Sequence, residues 1–138
     1  MPNTSTGLTF EHQVTQIKRK NGIRVDKQNM YRYLESKGIN WKNYISSKLL
    51  PDDAYYNERT NELFIYEVKY QQCAGSVDEK LQTVDFKIKQ YQKLWSKLKP
   101  NIYFTYLLND WFLKDKYRDV LNYIKSIPNC NYKIIIGG

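Results

Sequence analysis

Two short segments contain residues whose types and spacing could perform hydrolysis: Pro51-Asp52 and, after a short spacer, Glu67-Val68-Lys69. Successive side chains of a strand point to opposite faces, so Glu67 and Lys69 would project from one face of a strand. An antiparallel partner strand that begins near Asp52 would bring a second carboxylate to the same place. Paired carboxylates hold Mg²⁺, which can polarise a phosphoryl oxygen and activate a bound water. These residues favour metal-assisted phosphodiester hydrolysis, in which Lys69 would orient the water or neutralise charge on the phosphate.

Apolar periodicity predicts the elements that must position this centre. Residues 53–57 and 62–70 are expected to form two strands of a hairpin. Ser76-x-x-Glu79 is a capping box, and the apolar residues behind it step by threes and fours, which predicts one long helix that ends before Pro100. The same patterns predict a strand over 102–108, a helix over 114–127 and a strand over 132–136.

The residues before the motif predict two helices and one ambiguous segment. An apolar series from Phe10 to Ile17 has helical spacing. A second helix is expected to start after Asp26 as N-cap and to stop at Gly38. Residues 44–50 could form a short strand or a helix end.

The order of these elements predicts an α/β (α+β) fold with a central mixed β-sheet of about four to five strands flanked by helices. The length of 138 residues suits a single domain over 1–138, in which residues 1–6 form a loose tail. Two cysteines exclude a disulfide framework, and the chain shows no signal peptide or membrane-spanning run, so a cytoplasmic protein is expected.

The charge favours a polyanionic partner. Twenty-two Lys and Arg against fourteen Asp and Glu leave a net charge of +8, which attracts nucleic acid through counterion release. An anionic membrane surface is a weaker alternative, and a merely solubilising surface is another. The six glycines form no phosphate-binding loop, so no nucleotide cofactor is expected. His12 is the only histidine, which argues against a Ser-His-Asp triad or a histidine-metal cluster.

The spacing of Pro51-Asp52 and Glu67-Val68-Lys69 resembles the PD-(D/E)XK nuclease superfamily. Residues 71 and 75–80 look like a subset of the type II restriction endonucleases. The resemblance implies a restriction-endonuclease-like core and a Mg²⁺-dependent endonuclease, with Mn²⁺ as a substitute ion. Double-stranded DNA would be the substrate, and a homodimer would supply two cuts.

The resemblance also implies roles for individual residues. Asp52 and Glu67 would be metal ligands, with the carbonyl of Val68 as a further ligand, and Lys69 would be the catalytic lysine. Asp53 is a rival to Asp52, because the register of the strand decides which carboxylate points inward.

Two further residues are candidates for the catalytic centre. Gln71 would share the face of Lys69 if the strand continued, and could touch a phosphate or hold the lysine; a solvated strand end is the alternative. Glu11 is the only carboxylate of the first predicted helix and could face the site, although a surface position is as good an interpretation.

Basic residues of three regions are candidates for DNA contacts, although those near helix ends also serve capping and solubility. The candidates are Lys18, Arg19, Lys20, Arg24, Lys80 and Lys87, of which Lys87 is expected on the exposed arc of the long helix.

Other functions remain open at this stage. A Holliday-junction resolvase or another structure-selective nuclease fits the same motif. A catalytically silent nucleic-acid-binding module would keep the fold and the charge. The chain could also be a fragment whose missing part holds specificity.

Overall fold

A five-stranded sheet organises the residues that the computed structural model describes, which are 22–72, 75 and 77–136. The predicted helix from Phe10 to Ile17 lies outside the described residues, as do Glu11, Lys18, Arg19 and Lys20. The strands are β1 (Ile23–Arg24), β2 (Asp53–Asn57), β3 (Glu62–Lys69), β4 (Asn101–Asn109) and β5 (Cys130–Ile135).

The strands lie side by side in chain order, and the sheet is mixed. β2 is antiparallel to both of its neighbours, β1 and β3, whereas β3, β4 and β5 are parallel. Parallel neighbours need crossover connections, and helices provide them. The helices are α1 (Gln28–Ser36), α2 (Val77–Leu81), α3 (Val84–Leu94) and α4 (Arg118–Ser126). The predicted mixed sheet flanked by helices is confirmed.

The hairpin between β2 and β3 fixes the register of the motif. The Asn57 side chain accepts hydrogen bonds from the backbone N–H groups of Arg59 (3.0 Å) and Thr60 (3.3 Å), and Asn61 adopts a positive φ of 55°. Asparagine suits both positions, because it bonds to its own turn and tolerates the left-handed region. The resulting register places Asp53 opposite Tyr66.

The core lies between one sheet face and the helices. Leu63 and Ile65 of β3 alternate toward it and are fully buried. Tyr91 and Leu94 of α3, with Trp95 behind them, pack into the same cluster. Apolar contacts thereby fix β3 in the core just before Glu67 and Lys69, at its C-terminal end.

The predicted long helix is wrong in one respect, because the structure divides it into α2 and α3. The N–H groups of Gln82 and Thr83 bond to the carbonyls of Glu79 and Lys80, three residues back, and the Thr83 hydroxyl donates to the Lys80 carbonyl at 2.8 Å. This tighter turn interrupts the α-helical ladder. A tight turn keeps the apolar stripe continuous, so periodicity alone could not show the break.

The segment before β2 also differs from the prediction. Strand β1 has only two residues, both exposed, and carries no apolar pattern. Asp26 is not the N-cap of α1; Lys27 holds that position, and the Asp26 carboxylate accepts a hydrogen bond from the Asn29 side chain at 2.9 Å. Residues 44–50 form neither strand nor helix, and only a short 3₁₀ turn, Trp41–Asn43, precedes them.

No helix within the described part of the chain is long and apolar enough to cross a membrane.

Candidate active site

Asp52 lies immediately before β2 and reaches across to β3. Its Oδ2 accepts a hydrogen bond from the backbone N–H of Val68 at 2.8 Å. This N–H lies two residues beyond Tyr66, the last residue of β3 that pairs with β2. Beyond the last backbone pair of β2 and β3, the Asp52 carboxylate therefore serves as the acceptor for a β3 N–H group. This hydrogen bond places the carboxylate beside Glu67 and Lys69.

Glu67 is a nearly buried carboxylate between two lysines. Its side chain is 12% exposed, and its oxygens lie 4.0 Å from Lys69 Nζ and 3.7 Å from Lys87 Nζ. Burial raises the pKa of Glu67, the Asp52 carboxylate raises it further, and the Lys87 and Lys69 ammonium groups oppose this rise. Asp52 and Glu67 thus share one site, as the strand period and the hairpin predicted.

Lys87 was expected on an exposed arc of the long helix, and the structure corrects this position. Its side chain is 25% exposed and faces Glu67 from α3. A signal was present in the sequence, because Lys87 precedes the buried Ile88 and lies four residues before the buried Tyr91. A lysine at the border of the apolar face of a helix can point toward the sheet when a carboxylate on the sheet lies within reach of its ammonium group.

Asp53 lies on the other face of the sheet. Adjacent strand residues point to opposite faces, and Asp53 pairs with Tyr66, the neighbour of Glu67. The Asp53 side chain is buried; burial raises its pKa, and the Arg24 guanidinium, whose Nε lies 4.0 Å away, opposes the rise. The two candidate aspartates are therefore separated by the sheet itself, and only Asp52 reaches Glu67.

Arg24 was predicted to contact DNA, and the structure pairs it with acidic groups. It lies 3.1 Å from the Asp26 carboxylate in addition to its contact with Asp53, while its side chain remains 48% exposed. Lys80, another predicted DNA contact, is exposed in the last turn of α2.

Gln71 does not share the strand face of Lys69, because β3 ends at Lys69. The backbone of Gln71 is held by the Asn109 side chain, which accepts from its N–H at 3.1 Å and donates to its carbonyl at 2.6 Å. Gln71 is 5% exposed. The amide of Asn109 therefore ties the chain after the motif to the end of β4, a link that sequence reasoning missed.

Two buried tyrosines form the wall behind Glu67. Tyr106 is the register partner of Glu67 in β4, and Tyr91 projects from α3. Burial raises the pKa of both phenols, and the Glu67 carboxylate raises each further. Within the described residues the Tyr106 hydroxyl has no hydrogen-bond partner. The wall lowers the local dielectric, which strengthens charge interactions in the site.

The oxygen donors suit a hard divalent cation. The Asp52 carboxylate accepts from the Val68 N–H, the Glu67 carboxylate belongs to the residue before Val68, and carboxylate and carbonyl oxygens are the ligands that Mg²⁺ and Mn²⁺ prefer. Among residues 22–72, 75 and 77–136, no group of three His, Cys, Asp or Glu side chains converges on a metal position. Mg²⁺ is commonly bound by only one or two carboxylates and completes its shell with water and phosphate oxygens, so the donor set fits.

Comparisons with known proteins agree with this geometry. A family model described as a PD-(D/E)XK nuclease superfamily domain matches residues 3–94, which include Asp52, Glu67, Lys69 and Lys87. Comparison with curated proteins gave no match. Comparison with solved structures gave none either. The match spans well over half of the 138 residues, and the chain belongs to the PD-(D/E)XK nuclease superfamily.

Proposed function

We propose that this protein is a Mg²⁺-dependent endonuclease of the restriction type that hydrolyses phosphodiester bonds in double-stranded DNA. The observation that carries the proposal is the convergence of Asp52, Glu67 and Lys69 at the end of β3. The Asp52 carboxylate accepts from the N–H of Val68, the residue after Glu67, and the Lys69 ammonium lies 4.0 Å from the Glu67 carboxylate. Family membership supports nuclease chemistry at this position.

The residues of the centre have separate roles in the proposal. Asp52 and Glu67, with the Val68 carbonyl, hold Mg²⁺, and Mn²⁺ can substitute. An ion bound there would polarise a phosphoryl oxygen of the substrate and lower the pKa of a bound water molecule. Lys69 orients the attacking water or neutralises charge that develops on the phosphate. Gln71 stays a candidate for the centre, since its buried position adjoins the end of the strand.

The substrate is proposed from charge. The net charge of +8 favours a polyanion, and exposed lysines follow the outer side of α3 and the turn after it. These lysines are Lys89, Lys93, Lys97 and Lys99. A two-fold homodimer would supply two centres, one for each strand of the duplex, and is part of the proposal.

The test is incubation of purified protein with supercoiled plasmid in Mg²⁺ or in EDTA. We expect nicked and linear DNA with Mg²⁺ and intact plasmid with EDTA. A four-way junction offered beside a linear duplex separates the restriction type from a structure-selective nuclease, because the latter cuts the junction preferentially. Binding of DNA without cutting under every metal condition would contradict the proposal and indicate a silent binding module.

A further inference from the structure

Each oxygen of the Glu67 carboxylate faces a different lysine. Lys87 Nζ lies 3.7 Å from Oε1, and Lys69 Nζ lies 4.0 Å from Oε2. Lys69 belongs to the same strand as Glu67, two residues on, whereas Lys87 comes from α3. The family motif includes Lys69 alone, so the second lysine is a feature of this chain that the motif does not explain.

The four groups balance one another in charge. Two carboxylates, Asp52 and Glu67, are accompanied by the ammonium groups of Lys69 and Lys87. The Glu67 side chain is 12% exposed and that of Lys87 is 25% exposed, so solvent screens their attraction only in part. A carboxylate this buried needs a counter-charge. A divalent cation on the same carboxylates would supply that charge, and the ammonium of Lys87 would then repel the ion.

We infer that Lys87 exchanges partners at this centre: it neutralises Glu67 in the metal-free protein, and it binds a phosphate oxygen of the nucleic acid once a divalent cation holds Glu67. The lysine side chain is a point charge on a flexible four-carbon stem, which suits such a move. The inference rests on the proposed function, because it requires both the metal site and a phosphodiester ligand.

Lys89 provides a matched control from the same helix. It is two residues further on, its side chain is 67% exposed, and it pairs with Asp85 at 3.1 Å rather than with the centre. Lys87→Met and Lys89→Met change the net charge equally and keep most of the side-chain length. Any difference in ion or DNA affinity between the two variants is therefore due to the location of Lys87 beside Glu67 and not to the change in net charge.

The first measurement is calorimetric titration with Ca²⁺ in the absence of nucleic acid. Lys87→Met is expected to bind Ca²⁺ about fivefold more tightly or better, because unit charges 4 Å apart interact by about 1 kcal/mol even in water. Lys89→Met is expected to match the wild type. Equal Ca²⁺ affinities of Lys87→Met and the wild type would overturn the inference.

The second measurement is the affinity for a labelled DNA duplex in EDTA and in saturating Ca²⁺. Lys87→Met should lose more affinity in Ca²⁺ than in EDTA, and its salt slope in Ca²⁺ should be smaller by about 0.9, the value of one phosphate contact. Lys89→Met should show the same ratio to the wild type in both buffers. An equal or smaller loss for Lys87→Met in Ca²⁺ would overturn the exchange and leave Lys87 an ordinary basic residue.

The two proposals fail in different ways. A wild-type protein that binds no Ca²⁺ would refute the metal site of the proposed function itself. A wild-type protein that binds Ca²⁺ as well as Lys87→Met does would refute only the exchange. Lys87→Gln, which keeps a polar end beside Glu67, replaces Lys87→Met in both measurements if the methionine variant does not fold.

Discussion

The Asp52 carboxylate accepts a hydrogen bond from the backbone N–H of Val68 at 2.8 Å, which ties the first half of the motif to the middle of the second. Val68 lies between Glu67 and Lys69, so the backbone that positions those two side chains also positions Asp52. The centre is therefore one unit of local structure, although Glu67 and Lys69 belong to β3 and Asp52 lies just before β2.

Removing the charge of either Glu67 or Lys69 should abolish cleavage. Glu67→Gln would remove a proposed metal ligand, and Lys69→Met the cation beside it, so plasmid cleavage in Mg²⁺ should fall by more than about a hundredfold in each. Glu62→Gln, at the other end of β3, is the control and should cut at the wild-type rate. Circular dichroism establishes that the variants fold, and wild-type rates in either folded variant would contradict the assignment.

Glu67→Gln should leave the metal-free protein as stable as the wild type or more stable. Burial and the Asp52 carboxylate raise the pKa of Glu67, so its ionised form is disfavoured in the folded state. For a raised pKa, stability is lost as pH rises through the folded value, and at neutral pH the carboxylate reduces the free energy of unfolding. Thermal unfolding in EDTA measures this, and a Tm clearly below that of the wild type would show that the lysine pairs outweigh the burial.

Tyr31 anchors the segment that leads into Asp52, and Tyr31→Phe should lower stability by about 1–3 kcal/mol. The Tyr31 hydroxyl donates to the Leu49 carbonyl and accepts from the Leu49 N–H, each at 2.6 Å, and the side chain is 3% exposed. Burial raises its pKa to about 12, against the opposing backbone bond. The stabilisation that the Tyr31 hydroxyl provides is complete below about pH 10 and is lost as pH rises toward 12 and the phenol ionises.

Urea unfolding at neutral and alkaline pH tests this prediction. The variant should start less stable and lose less stability between about pH 10 and 12 than the wild type. Tyr123→Phe is the control, because the Tyr123 side chain is exposed and its hydroxyl makes only a 3.5 Å contact. A Tyr31→Phe variant that behaves like Tyr123→Phe would refute the anchor.

The strand period and the hairpin turn were sufficient to predict where Asp52, Glu67 and Lys69 lie relative to one another. Alternation placed Glu67 and Lys69 on one face, and a strand over 53–57 left Asp52 just outside the ladder, as the structure has them. Whether Asp52 or Asp53 lies on the same side of the sheet as Glu67 depends on the register of β2 against β3, which the sequence alone left open. In the structure Asp53 pairs with Tyr66, so its side chain lies on the face of the sheet opposite to that of Glu67.

Other features depend on contacts between distant residues, which no local pattern encodes. Lys87 looks like a solvated helix lysine until the sheet brings Glu67 beside it. Asn109 holds the backbone of Gln71 from 38 positions away in the sequence. Strand β1 forms because Ile23 and Arg24 pair with the edge of β2, and two residues are too few for a periodic signal.

DNA binding should weaken steeply with salt. If about five basic residues contact phosphates, log K should fall against log salt with a slope of about −4 to −5, from −0.9 per contact. Binding should also be tighter in Ca²⁺ than in EDTA, because the Asp52 and Glu67 carboxylates repel phosphate when no cation is bound. Titration of a labelled duplex measures both, and equal affinities in the two buffers would place the DNA away from these carboxylates.

The most direct test of the central claim compares Asp52→Asn with Asp53→Asn in Mg²⁺-dependent plasmid cleavage. The two substitutions are chemically identical and adjacent, but the side chains lie on opposite faces of the sheet, and only Asp52 is next to Glu67. Both asparagines can keep an oxygen acceptor for the local backbone N–H, so both variants should fold. The account predicts an inactive Asp52→Asn and an Asp53→Asn with measurable activity, whereas an active Asp52→Asn beside an inactive Asp53→Asn would contradict it.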